Sequence, residues 1–290
     1  MEQQTKAVAK KPVDALKQML EASSVKEQFE NALGDSRKEF VASLIDLYSG
    51  DKSLQQCAPA AVVQQALKAA ILKLPLVKAI GQSYVVVYNN KGIPTPTFII
   101  GYKGLIQLAT RSGLSQCIHA DVVYEGELLG ADKLTGEINL QGKKTSNTPI
   151  GYFAYIREVS GFAKSYYMSI EDMVHYAKTY VPSLKNVTEE NLMKAAKADK
   201  VAKGVGWLAN FRSMAVKTCL RQLIDKWGSL SIDLQNAIIY DEGSREDAQA
   251  ERDEMVEELT ATEYVDLDAE AEQPAPAQEQ QPAEEETPDY

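Results

Sequence analysis

Net charge changes sign along this chain, and that change limits how much of it can build a core. Asp241 to Tyr290 hold 19 acidic and 2 basic residues, a net of −17. Met1 to Tyr240 hold 22 acidic and 29 basic residues, a net of +7. The acidic segment is rich in Glu, Gln, Ala and Pro, and its apolar pattern ends at Tyr264. Such a segment cannot bury enough surface to offset the entropy of ordering it. Residues 241–290 are therefore expected to be a disordered acidic tail, and 1–11 a disordered N-terminus. Residues 12–240 are left as the folded domain, long enough for one sizeable core. The basic part can meet phosphate; the acidic part cannot.

No apolar run approaches the roughly 20 residues needed to span a membrane. Met1 to Lys11 is polar with no apolar segment behind it, so a secretory signal is not expected. Cys57, Cys117 and Cys219 lie far apart and form no CxxC pair, which argues against structural zinc and against a disulfide framework. A reducing, cytoplasmic setting is expected.

The period of the apolar residues predicts an α+β fold. It has N-terminal helices, a small antiparallel sheet with a β-hairpin, then C-terminal helices. Helices are expected over 12–21, 24–33, from Asp35 or Ser36 to Tyr48, and over 58–74 with Pro59 in the first turn. Tyr84–Tyr88 and Thr97–Ile100 are β-rich, and Asn89-Asn90-Lys91-Gly92 between them is a turn, so the pair reads as a hairpin. After Gly101 a helical pattern runs from Lys103 to Arg111 and stops at Gly113. Strands are expected at 117–124, 149–159 and 162–169. Ser169-Ile170-Glu171-Asp172 resembles a capping box opening a helix to Tyr180. The strongest helical pattern spans Trp207 to Trp227.

Two segments carry candidate chemistry. In Gly101–Arg111 a strand enters a helix through a glycine, which points backbone N–H groups at a phosphate. Tyr102 is placed to stack on a base. Lys103, Gln107 and Arg111 are spaced by four and share a face. In Trp207–Trp227, Leu208, Phe211, Ala215, Leu220, Leu223, Ile224 and Trp227 form an apolar stripe, with Lys217, Arg221 and Ser213 on the polar side. Arg212 lies off that row. Both segments read equally as amphipathic helices with wet cations, and the tryptophans read as core. Lys91 is either a basic fingertip or a plain surface turn. Lys194, Lys197, Lys200 and Lys203 are a further spaced series, expected in a solvated segment.

Enzyme motifs fail on spacing. Gly136 to Lys144 has five residues between its glycines, then two lysines, where a P-loop needs four and then Lys-Ser or Lys-Thr. His119 and His175 are far apart, and Cys117 with His119 is too few ligands for a metal. Asp121, Glu125 and Glu127 are the nearest approach to a nuclease cluster. No cofactor, metal or catalytic residue is expected.

Phe98–Gly113 resembles the central signature of the RecT family of phage annealing proteins. Ser213–Arg221 followed by Lys226–Asp233 resembles the family's second signature, and the likeness runs over roughly 20–240. The resemblance implies a non-enzymatic, ATP-independent protein of phage homologous recombination. It would bind single-stranded DNA, assemble as a ring or helical filament, anneal complementary strands into duplex and act after a partner exonuclease. By position, Tyr102, Lys103, Gln107 and Arg111 carry over from the first motif, and Lys217, Thr218 and Arg221 from the second. Lys91 belongs to the preceding hairpin. The family often has two adjacent lysines where this chain has Val216-Lys217, and Arg212 and Lys203 are candidates to restore that charge.

Beside a structural phage protein, whose filaments would look similar by microscopy, two further alternatives stay open. One is a protective single-strand-binding module without annealing, although the five strands of an OB fold are not evident. The other is a DNA-processing nuclease. The tail has three readings: a site for a partner such as host single-strand-binding protein or the exonuclease, a competitor for the basic groove, or a solubilising segment.

Overall fold

The computed structural model describes residues 12–90, 92–202, 206–229 and 231–242. Four helices open the fold: α1 (Pro12–Leu20), α2 (Ser23–Leu33), α3 (Arg37–Gly50) and α4 (Pro59–Ile71). Pro59 sits in the first turn of α4, where its missing N–H costs nothing. Ala66, Ala69 and Ala70 of α4 are fully buried, so small side chains let α1 and α2 pack close on it.

Strands β1 (Ser83–Asn90) and β2 (Ile93–Ile100) form the expected antiparallel hairpin, with Asn90 opposite Ile93. Gly92 turns it with φ of 89°, and its N–H donates to the Asn89 side chain at 2.7 Å. The second strand starts four residues earlier than expected, through Pro94 and Pro96. Alternation explains why prolines are tolerated there. The N–H of Phe98 donates to Gln65 Oε1 of α4 at 3.1 Å, and that of Ile100 to Asp241 Oδ1 at 3.3 Å. N–H groups of this parity point away from β1, so Pro94 and Pro96 remove no bond between the strands.

Helix α5 (Tyr102–Arg111) follows. A three-stranded antiparallel sheet then forms in the order β3 (Ser115–Tyr124), β6 (Pro149–Glu158), β7 (Ala163–Ser169). Gly161, at φ of 91°, turns β6 into β7. A short hairpin of β4 (Gly130–Ala131) and β5 (Ile138–Asn139), not anticipated from sequence, lies between β3 and β6 in the chain. It contains Gly136, so that glycine-rich stretch is hairpin rather than a strand-to-helix loop.

The C-terminal helices are α6 (Ile170–Tyr180), α7 (Glu189–Ala198), α8 (Phe211–Trp227) and α9 (Ile232–Glu242). Ser169 caps α6 by accepting the Asp172 N–H at 3.0 Å, as the sequence pattern predicts. Lys194 and Lys197 belong to α7, a regular helix that the sequence reading left as a solvated segment. Helix α8 starts four residues later than expected because Asn210 caps it, accepting the Ser213 N–H at 3.1 Å. Helix α9 crosses the expected boundary at 240. Asp241 and Glu242, assigned from sequence to the tail, are its last two residues, and Asp241 is buried. The expected disorder of 1–11 and 243–290 concerns residues outside those described. One apolar cluster runs from Leu16 to Ile238 and draws on the N-terminal helices, the β1–β2 hairpin, the three-stranded sheet and the C-terminal helices. Among the described residues, no helix is long and apolar enough to cross a membrane.

Candidate nucleic-acid interface

The two motif helices, about a hundred residues apart in sequence, pack against each other, and α5 also contacts α9. The start of α5 is built by close backbone approach. A Cβ on Gly101 would lie 2.2 Å from the Gly81 carbonyl oxygen, and one on Gly104 the same distance from that of Gln82. Both positions therefore need glycine, for packing as much as for any ligand. Leu105, Leu108 and Ala109 are buried, which leaves Lys103, Gln107 and Thr110 exposed in a row. Tyr102 is half-buried, packed on the core, so only part of its ring is open.

Arg111 ends this row with partners of its own. Its Nη2 donates to the Leu72 carbonyl at 2.8 Å and to Asp233 Oδ2 at 2.9 Å. It thus ties the end of α4 and the start of α9 to α5.

The second motif departs from a solvated cationic face. Helix α8 touches β3, β6, β7, α5 and α7, so little of its circumference meets water. Lys217 has a side chain only 13% exposed, and its Nζ donates to Asp241 Oδ1 at 2.7 Å. Thr218 is buried and donates to the Met214 carbonyl at 3.0 Å. Arg221 is half-buried and engaged within the fold. Val216 is in the core, so this chain spends on packing the position where the resemblance suggests a second lysine. The sequence reading also put Leu208 in the apolar stripe and both tryptophans in the core. Trp207 is buried, but Leu208 and Trp227 are exposed, because Leu208 precedes the helix and Trp227 ends it.

Arg212 is a clamp between β3 and the end of α7. Its Nη2 donates to Asp121 Oδ1 at 2.6 Å, and its Nη1 lies 3.1 Å from the Tyr124 hydroxyl and 3.5 Å from Asp199 Oδ2. Burial works against its charge, but the bond to Asp121 and the charges of Asp121 and Asp199 outweigh that and raise its pKa. The Tyr124 hydroxyl donates to Asp199 at 2.6 Å; burial and this bond hold its pKa above the ordinary value. The carboxylates Asp121, Glu125 and Glu127 go to different partners: Arg212, the Ser146 hydroxyl and the Tyr124 N–H. Lys91 and Lys203 lie outside the described residues.

Two residues that the sequence reading missed are therefore central, Asp233 and Asp241 of α9. Each neutralises one motif cation. The available signal was the spacing of Leu234, Ala237, Ile238 and Asp241, an i, i+3, i+4, i+7 face that continues past the expected boundary.

Residues 38–258 match the RecT family. The chain belongs to the RecT family. Members of this RecT group are single-strand annealing proteins of DNA recombination. Among its relatives is an uncharacterized protein, YqaK, of Bacillus subtilis (strain 168). That protein is 34% identical over 252 residues, covering 87% of this chain and 78% of YqaK. Protein RecT of Escherichia coli (strain K12) is 28% identical over 196 residues, covering 66% of this chain and 65% of that protein. The RecT match extends beyond Glu242 and begins within α3, so α1 and α2 precede it.

Proposed function

We propose that this RecT-family chain binds single-stranded DNA across α5 and the adjoining ends of α8 and α9. It anneals complementary strands there without ATP, as a ring or helical filament. The single observation that carries the reading is the packing of the two family motifs against each other, with Lys103, Gln107 and Thr110 of α5 left exposed. A row of this kind meets the sugar-phosphate backbone and leaves base edges free for pairing, which annealing requires. Tyr102 and Arg111 adjoin the row on α5, and Arg221 lies on α8, the helix packed against it. Lys217, Thr218 and Arg212 act by holding the helices in place, a role that their burial and partners support.

The reaction breaks no covalent bond, so it calls for no catalytic residue and no cofactor. A resecting exonuclease supplies the single strands, in the host cell's cytoplasm, where single-strand-binding protein competes for them. Lys91, which the resemblance assigns to the segment before the first motif, is proposed as a further DNA contact. The test mixes two labelled complementary oligonucleotides with the protein in the absence of nucleotide. Pairing faster than in the protein-free control is expected. Binding with no acceleration would leave a protective single-strand-binding module instead.

A further inference from the structure

The two tryptophans are used in opposite ways. Trp207 is 5% exposed and meets Phe211 edge-on, with centroids 5.0 Å apart. Trp227, the last residue of α8, keeps 37% of its surface and tilts against Tyr166 of β7 at 5.9 Å. Two ammonium groups flank that indole. Lys164 Nζ is 5.3 Å from its centroid and Lys226 Nζ 5.8 Å, with Lys226 also 5.7 Å from the Tyr166 ring. Lys164 is held in place by the Thr135 carbonyl at 2.5 Å. The backbone that follows Trp227 is fixed too, since the Ser229 N–H donates to Glu158 at 2.8 Å. Asp225, exposed two residues before Trp227, is the opposing charge on the same helix.

The rings continue onto α6. Tyr176 and Tyr180 lie 4.8 Å apart, and Tyr180 is exposed. The Gln222 amide of α8 meets the Tyr176 hydroxyl at 3.4 Å, tying α6 to α8 one turn before Lys226.

A part-exposed indole with two ammonium groups over its ring suits a ligand with a flat π-system and negative charge close beside it. An unpaired nucleotide in a strand is that ligand. A duplex hides its base faces, and an acidic peptide has no use for the rings. We propose that Trp227 and Tyr166 form a base-stacking platform for single-stranded DNA, with Lys164 and Lys226 pairing the phosphates that flank the stacked base. This rests on the single-strand-binding reading above and adds a contact outside the two exposed turns of α5. Stacking of this kind tolerates any base, because every base has a π-face.

The test compares the parent with Trp227→Ala and Trp227→Phe by fluorescence anisotropy. The probes are labelled oligothymidylate and a strand of equal length made of abasic residues. Trp227→Ala is expected to weaken oligothymidylate binding about tenfold, and Trp227→Phe by no more than about twofold. The abasic strand should bind all three alike. In Trp207→Phe, whose remaining tryptophan is Trp227, oligothymidylate should quench the emission. That signal decides the matter if Trp227→Ala does not fold. If Trp207→Phe binds oligothymidylate with no quenching, or Trp227→Ala loses as much on the abasic strand, the platform is overturned while single-strand binding stands. If the parent binds no oligothymidylate, the underlying reading fails and the platform with it.

Discussion

Lys217 of α8 and Asp241 of α9 form a buried ion pair, Nζ to Oδ1 at 2.7 Å, and the same carboxylate oxygen accepts the Ile100 N–H at the free edge of β2. One side chain thus joins the second family motif, the last helix and the strand that leads into the first motif. Removing one partner of such a pair leaves an uncompensated buried charge and costs about 3–5 kcal/mol. Asp241→Ala is expected to show that loss in a denaturant melt, and truncation after Tyr240 to show the same destabilisation. Asp241→Asn, which keeps an acceptor for Ile100, is expected to lose less. Equal stability of parent and Asp241→Ala would refute the anchoring role. A test of the tail's effect on DNA affinity must therefore cut after Glu242, not before Asp241.

Arg111 and Asp233 make a more exposed pair, with side chains 33% and 51% exposed. Pairs of this kind contribute about 0–1 kcal/mol. Asp233→Asn should barely change the melting temperature. It should tighten single-strand binding by up to about fivefold, because the carboxylate no longer competes with phosphate for the guanidinium. Arg111→Ala should weaken binding. Unchanged affinity in both variants would remove Arg111 from the interface.

Lys103 is exposed on α5 and gives a cleaner test of phosphate contact. Lys103→Ala is expected to weaken binding alike for strands of different sequence. It should also reduce the slope of log affinity against log salt by about 0.7, the value for one released counterion on a single strand. An unchanged slope would place Lys103 outside the DNA path.

Glu158 sets an acid limit on stability. Hydrogen bonds from Ser229, opposed in part by burial, hold its carboxyl below the usual range. The folded pKa is lower than the unfolded value of about 4.3, so the stabilisation is complete above that value. It is lost as pH falls through the folded pKa. Glu158→Gln should be less stable than the parent at pH 7, and the gap should close below about pH 4. A gap that persists into acid would show that the charge of Glu158 is not what matters.

Thiol chemistry separates the three cysteines. Cys117 is exposed on β3, while Cys57 and Cys219 are buried. Burial raises the pKa of both buried thiols, Cys219 furthest. Native protein at pH 7 should react rapidly with a thiol reagent at Cys117, and at the other two only on unfolding. Rapid labelling at Cys219 would contradict its packing against β6.

Much of the fold was legible because local chemistry and tertiary packing agree. The alternating residues around Asn89–Gly92 specify the hairpin, Ser169 and Asp172 specify the start of α6, and the spacing after Gly101 specifies α5. Prolines 94 and 96 hid the first half of β2, since a sequence does not show which edge of a strand faces a partner. Helix α9 was hidden because its last residues sit at the head of a strongly acidic segment, whose charge masks the apolar period. The site was legible as two cationic helices, but not as one place.

Sequence alone determined the membership of the RecT family, the α+β order of elements and the identity of the two motif helices, since each depends on neighbours within a few turns. Only the tertiary structure decided which cations face water. Lys103 and Lys217 look alike in a sequence. Packing of α8 between the sheet and α5 sends Lys217 inward, where low polarity demands a counter-charge and Asp241 supplies it, while Lys103 stays in solvent. The same packing ends α8 at the surface and leaves Trp227 part-exposed beneath two lysines, where composition had suggested core.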